Sequence, residues 1–338
     1  MTQKRKLLLT FDYELFLGKK SGCVAKSIIN PTQNILQILD RYSAKAIFFV
    51  DASYLWRLGQ VAENHRKASE DLKAIQQQIN DLYLHGQYIF LHIHPHWIDA
   101  QYNEDTNQWD LGNDKRFSFA SLTNTEQRDI FSDSVNALKE CIQDTTYSSE
   151  GFRAGGLFMQ PFSAFEKYFT EYGIHSDFSV LPSFYSNSSS HNFDYRGISE
   201  SNPYPFSKDL TNSDNDGLFV EYPLSVHKVT LLEKCANSLY YRLIMNFKDK
   251  KTWGDGISGG QRISSSYNNK IRSAETFSIE LLNRIKAISY RNYLRKNDYL
   301  HIISHPKLMN DYSLMIFDRW MAKISNQYEL ITDYKKFD

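Results

Sequence analysis

Leu7-Leu8-Leu9-Thr10-Phe11-Asp12-Tyr13-Glu14 reads as a buried strand that ends in two acids. Side chains alternate along a strand, so Asp12 and Glu14 fall on one side and Tyr13 on the other. A buried carboxylate costs several kcal/mol unless it is paired, hydrogen-bonded or metal-bound. Something downstream must therefore meet these acids. His92-Ile93-His94-Pro95-His96 is the strongest candidate, because it follows a second apolar run, Tyr88-Ile89-Phe90-Leu91. By strand alternation His92 and His94 share a face. If the chain turns helical, His92 and His96 share one instead. Three imidazoles in five residues, with carboxylates, form the ligand set of zinc and similar divalent ions. The competing account is a solvated histidine-rich turn.

Outward from these two stretches the chain alternates. Short apolar runs near 45–50, 174–180, 218–224, 299–305 and 328–332 predict strands. Helical spacing is expected at 31–42, 52–84 in one or two pieces, 125–142, 161–172, 228–250, 274–294 and 312–325. Asn30-Pro31 is expected to start the first of these, with Asn30 as N-cap. Thr123-Asn124-Thr125-Glu126 has the form of a capping box, and Gly173 is a helix stop. Residues 183–217 carry no apolar periodicity and are expected to form a long functional loop within a single domain spanning 1–338. Strand and helix repeating about seven times indicates a parallel α/β sheet, doubly wound or closed as a barrel. Asp12, His92, Arg153, Asp177, Glu221 and His305 all fall at C-terminal strand ends, which is the active-site face of a barrel.

Composition narrows the function classes. Lys+Arg and Asp+Glu balance at 39 each in 338 residues, so no broad basic field points to nucleic acid. Three scattered cysteines, Cys23, Cys141 and Cys235, do not form a disulfide framework. Lys4-Arg5-Lys6 precedes an apolar run that Asp12 breaks too early for an export signal. No run reaches the ~18 apolar residues of a membrane span. The expectation is a soluble cytoplasmic protein.

Thr10-Phe11-Asp12-Tyr13-Glu14, Leu91 to Trp97, Gly151-Phe152-Arg153-Ala154-Gly155-Gly156 and Ile303-Ser304-His305-Pro306 occur in that order. Together they resemble the motifs of the polysaccharide deacetylase, or NodB-homology, family, and most resemble its surface-polysaccharide-biosynthesis type. Gly173 to Val180 is similar to the family's segment with an aspartate before a serine. The resemblance runs from about residue 6 to 310. It implies a distorted (β/α)7-type barrel with parallel strands and a divalent metal, zinc being the first expectation.

By this resemblance Asp12 is the catalytic base, Arg153 orients it, and His305 is the general acid. The family places a second aspartate, a metal ligand, where Tyr13 stands here; Glu14 is the substitute. The family's two histidine ligands are four residues apart, matching His92 and His96, with His94 as the alternative. Trp97 and Asp177 are candidate substrate contacts. The implied reaction is hydrolysis of an N-acetyl group on an amino sugar in capsule or O-antigen type glycan synthesis. Its substrate would be nucleotide-linked, lipid-linked or an oligosaccharide. The rivals are another non-peptide amide C–N hydrolase of this fold, and a non-catalytic glycan-binding or scaffold protein that has lost the metal.

Overall fold

A computed structural model of the chain describes residues 3–112, 116–187, 192–198, 201–259, 264–266, 272–280 and 282–337. Its main sheet contains β1 (Lys4–Tyr13), β2 (Ile47–Asp51), β3 (Tyr88–Ile93), β4 (Gly151–Ala154), β5 (Ser176–Asp177), β6 (Tyr204–Phe206), β7 (Phe219–Glu221), β8 (Tyr299–Ser304) and β9 (Glu329–Ile331). The strand order is β6-β7-β5-β4-β3-β2-β1-β8, with β9 also paired to the start of β1. Every pairing is parallel except β6 with β7. The sheet curls into a half-barrel with β6 and β8 as its edges, and the Pro223–Ser225 segment that follows β7 reaches across to β8. There Ser225 N–H donates to His301 O at 3.3 Å, and His301 N–H donates to Ser225 Oγ at 2.9 Å. This is the distorted (β/α) barrel expected from the sequence.

Strand alternation sets what lies inside and outside. Leu7, Leu9, Phe11 and Tyr13 pack outward into the large core shared with the helices. Leu8 points inward with Phe49, Phe90, Phe178 and Tyr299, filling one end of the barrel beneath Tyr334 and Phe337. Thr10, Asp12 and Glu14 continue that inward row toward the C-terminal mouth. Each large apolar side chain sequestered this way stabilises the fold by about 1.5–3 kcal/mol.

The helices that cross over are α1 (Asn30–Arg41), α2 (Ala52–Ala62), α3 (Arg66–Leu84), α4 (Asn124–Glu140), α5 (Glu166–Tyr172), α6 (Leu231–Leu243), α7 (Arg284–Lys296) and α8 (Asp311–Ser325). The Thr123–Glu126 capping box opens α4, and Gly173 ends α5 at φ 69°.

Three local expectations are corrected. Asn30 is not an N-cap: a π-helical turn over Ala25–Ile29 runs directly into α1, so Asn30 has helical dihedrals. The 274–294 stretch is not one helix. Arg272–Thr276 forms a strand with Val226–Thr230, and α7 begins only at Arg284, capped by Asn283. The 183–217 stretch is not an unstructured loop where described, since Phe184–Asn187 pairs with Asn192–Asp194 and β6 joins the main sheet. Residues 188–191 and 199–200 of that stretch, and 260–263 and 267–271 of a Gly/Ser-rich loop expected at 251–271, lie outside the described residues.

Candidate active site

The sheet register sets His92 level with Asp51 and Arg153, and Asp12 two residues earlier, level with Phe49. Because the pairings are parallel, the strand ends gather at one mouth, where the inward side chains meet.

Arg153 is fully buried, and the hydrogen bonds it makes explain how it is tolerated there. Its Nη1 donates to Asp12 Oδ1 at 2.5 Å, Nη2 to Thr10 Oγ1 at 3.0 Å, and Nε to Phe178 O at 3.1 Å. The guanidinium lies 4.0 Å from the Phe49 ring centroid, a cation–π contact. His301 Nε2 sits 3.1 Å from Nη2, and its Nδ1 faces the carbonyls of Tyr222 and Pro223. Burial and then Arg153 hold His301 well below the usual imidazole pKa. It is therefore neutral, with Nδ1–H donating and Nε2 accepting from Arg153. Burial works against the charge on Asp12, but Arg153, His92 and His305 outweigh it and lower its pKa. Asp12 is ionised, with Oδ2 turned to the mouth.

Glu14 lies beside it. Its Oε1 accepts from Lys307 Nζ at 2.7 Å, and Lys307 also donates to Leu15 O at 2.6 Å. Its Oε2 is 2.7 Å from His94 Nε2 and 3.3 Å from His92 Nε2, and those two nitrogens are 2.9 Å apart. Burial opposes the Glu14 charge, yet Lys307 and His94 hold its pKa well below the carboxylate norm.

The donor set of this group fits a divalent metal. His92 Nδ1 is 2.7 Å from Arg153 O, which can only accept, so the ring proton sits on Nδ1. In the neutral ring Nε2 then turns a lone pair toward Glu14 Oε2 and His94 Nε2. Three such atoms, all within 4.8 Å of one another, have the composition of a three-ligand catalytic site. The carbonyl that fixes the His92 ring is the kind of outer contact that metal-binding histidines usually have.

Local sequence explains the choice of histidine. The backbone stays extended through His94 (φ −109°, ψ 103°), which keeps His92 and His94 on one face. Pro95 then starts a 3-10 turn and carries His96 out of the group. His96 is buried among rings instead, 4.8 Å from Phe117 and 5.7 Å from Trp97. The group that could hold an ion thus joins two histidines two residues apart, and the His96 ring centroid lies 5.2 Å from that of His94. Gly155 makes room for it: a Cβ there would fall 2.5 Å from Ile93 O and 2.7 Å from His94 Nδ1. Tyr13 is on the opposite face, buried, with its hydroxyl donating to Gln78 Oε1 at 3.0 Å. Strand alternation alone removes it from the group and leaves Glu14 to face the histidines.

His305, at the end of β8, is the part-exposed member of the cluster. Its Nε2 lies 3.6 Å from Asp12 Oδ2 and 3.7 Å from Glu14 Oε1, and Nδ1 is 3.2 Å from Glu280 Oε1. Burial disfavours the charged ring, but Glu280 and Asp12 outweigh it and raise its pKa.

Two of the expected substrate contacts fall elsewhere. Trp97 is fully buried against Tyr54 and Trp109, with Nε1 donating to Asp51 Oδ2 at 2.7 Å, so no ring face is open to a sugar. Asp177 is fully buried, accepting from Ser179 Oγ at 2.8 Å and sharing a hydrogen bond with Glu221. Glu280 and Lys307 are the additions. Lys307 is legible in hindsight, two residues past His305. Glu280 is placed by an extended segment along β8, where Ile303 N–H donates to Phe277 O and Ile279 N–H to Ser304 Oγ.

No protein-family profile matches the chain, and no curated protein does. Solved structures do. A protein assigned as a polysaccharide deacetylase from Mycobacterium smegmatis is 13% identical at TM-score 0.49, over 98% of this chain and 87% of that one. Another so assigned, from Pseudomonas aeruginosa, is 9% identical at TM-score 0.48, over 99% and 89%. An allantoinase is 10% identical at TM-score 0.45, over 97% and 86%. The structural neighbours include polysaccharide deacetylases. Among the described residues no helix is long and apolar enough to cross a membrane.

Proposed function

We propose that this chain is a metal-dependent carbohydrate N-deacetylase, acting on an acetylated amino sugar of a capsule or O-antigen type glycan. One observation carries the reading: Glu14, His92 and His94 converge beside an ionised Asp12 and a His305 supported by Glu280. The glycan type rests on the sequence resemblance.

Glu14 Oε2, His92 Nε2 and His94 Nε2 would hold the ion. A divalent metal there supplies Lewis acidity toward the acetamide carbonyl and makes water more acidic. Asp12, fixed through Oδ1 by Arg153, offers Oδ2 to take the proton of the attacking water. His305 then protonates the departing amine, and Glu280 keeps that imidazole charged and oriented until it does. Arg153 acts through Asp12 and is a positioning residue.

The test is acetate release by metal-replete protein from free, nucleotide-linked and lipid-linked N-acetylated amino sugars. Asp12→Asn should lose roughly 10²- to 10⁴-fold, the usual contribution of a general base. One metal bound with no acetate from any of these sugars would remove the deacetylase reading. A non-catalytic reading draws on Lys307, which already gives Glu14 a buried cation. It requires that the purified protein take up no metal at all.

A further inference from the structure

Helix α6 is built inside out. Its polar residues face the protein: Glu233 meets His227 Nε2 at 2.9 Å and Ser289 Oγ, and Asn237 Oδ1 accepts from Asn283 at 2.6 Å. The Tyr240 hydroxyl meets that of Tyr312 at 2.5 Å. None of its residues is buried. Its leucines instead face water. Leu232, Leu239 and Leu243 are 80%, 59% and 71% exposed, and Ile244 just beyond is 60% exposed. Their spacing of seven and four residues puts the three leucines on one stripe of the helix. A helix that spends its polar face on the protein and exposes aliphatic side chains marks an interaction surface.

Charge identifies the occupant. Between 228 and 251 the sequence holds six basic residues and two acids, in a chain whose formal net charge is zero. One of the acids, Glu233, is already engaged with His227. A second copy of the chain docking here would set two basic patches face to face, which opposes association. A leucine stripe beside the exposed Arg242, with Lys250 Nζ 4.7 Å from the Tyr241 ring centroid next to it, matches instead a helix lying in the headgroup layer of an anionic bilayer.

We propose that the α6 surface docks the protein onto an anionic lipid membrane. The site lies at the same end of the molecule. Past the helix, Trp253 N–H donates to Met309 O, Gly254 N–H to Lys307 O, and Asn310 Nδ2 to Asp249 O. These bonds tie the segment following α6 to the loop that carries His305 and Lys307. Docking therefore holds the mouth close to the lipid surface, where a lipid-linked sugar would be presented. The docking itself is independent of the hydrolase chemistry.

Sedimentation with phosphatidylcholine vesicles, with and without phosphatidylglycerol, tests this on the full chain. The protein should pellet with the phosphatidylglycerol vesicles and be released by high salt. A Leu232→Ser, Leu239→Ser, Leu243→Ser triple variant should lose at least about tenfold in partitioning, with its melting temperature unchanged because all three side chains are exposed. Arg242→Glu with Lys250→Glu should weaken binding while leaving the leucines in place. Failure of the wild type to bind anionic vesicles would overturn the proposal. So would a concentration-dependent dimer, seen by light scattering, that the triple variant abolishes, because a second copy would then be the occupant. Acetate release from a soluble sugar should be unaffected by the triple variant, so loss of docking and loss of activity are read separately.

Discussion

Two pairs of buried acids occupy the barrel, and their chemistry is opposite. Asp12 and Glu14, at the mouth, each have a cation of their own, Arg153 and Lys307, delivered from other strand ends. Both have lowered pKa values despite burial. Asp177 and Glu221, partners in the register of β5 and β7, have each other. Burial raises both, and their mutual repulsion adds to it for Glu221, which is pushed well above the carboxylate norm. Glu221 is held as a neutral acid, with Oε1 accepting from Val180 N–H at 3.1 Å. The same residue types at similar strand ends thus give a charged site in one case and a structural hydrogen bond in the other. What separates them is whether a cation is within reach.

Replacing the cations should have the largest effect. Arg153→Met strips Asp12 of its partner and leaves Thr10 and the Phe178 carbonyl without their donor. Breaking a buried pair from one side costs about 3–5 kcal/mol, so this variant should show the deepest fall in denaturation midpoint, or not fold. Lys307→Met should cost about 3 kcal/mol in metal-free protein by the same reasoning, measured by urea unfolding. A change below 1 kcal/mol would show that Lys307 does not hold Glu14.

The Asp177–Glu221 pair should respond to pH with the opposite sign. Glu221 has a folded pKa above its unfolded value, so the folded state binds more protons. Its contribution is complete below the unfolded pKa near 4.3 and is lost as pH rises toward the folded value. Glu221→Gln keeps a donor without the titration. Wild-type stability minus variant stability should therefore decline from about pH 4 upward, as followed by melting temperature. Asp12 and Glu14, being lowered, lose their contribution as pH falls below the usual carboxylate range. A difference for Glu221→Gln that grows with pH would reverse the assignment.

The smallest effect belongs to a solvent-facing acid, Glu126 in the capping box of α4. Thr123 and Arg116 bring its pKa down to about 2. Thr123→Ala should cost about 1 kcal/mol and leave activity untouched.

Much of the mouth was legible because strands impose period two. The leucines of β1 marked a buried strand, and alternation put Asp12 and Glu14 on one side and Tyr13 on the other, as the structure shows. The parallel strands followed from apolar runs ending in polar residues. What was not legible depended on contacts remote in sequence. The histidines are an exception, since Pro95 disfavours a helix at His94 from sequence alone and the structure has a strand that turns there. Trp97 read as a sugar platform because its partner, Asp51, lies on another strand. The 274–294 stretch has helical composition throughout, yet pairing with Val226–Thr230 takes its first residues into a strand and sets Glu280 beside His305. Tertiary pairing overrode local propensity there. Helix α6 was expected as a helix, but its orientation, leucines outward, cannot be read from periodicity, which is the same whichever face is buried.

The central claim is that Glu14, His92 and His94 form the metal site. Metal content of metal-replete wild type, Glu14→Ala, His94→Ala and His96→Ala, measured by elemental analysis with circular dichroism to confirm folding, tests it most directly. About one ion per chain in wild type and His96→Ala, lost in Glu14→Ala and His94→Ala, is the predicted result. Metal retained in His94→Ala and lost in His96→Ala would contradict it.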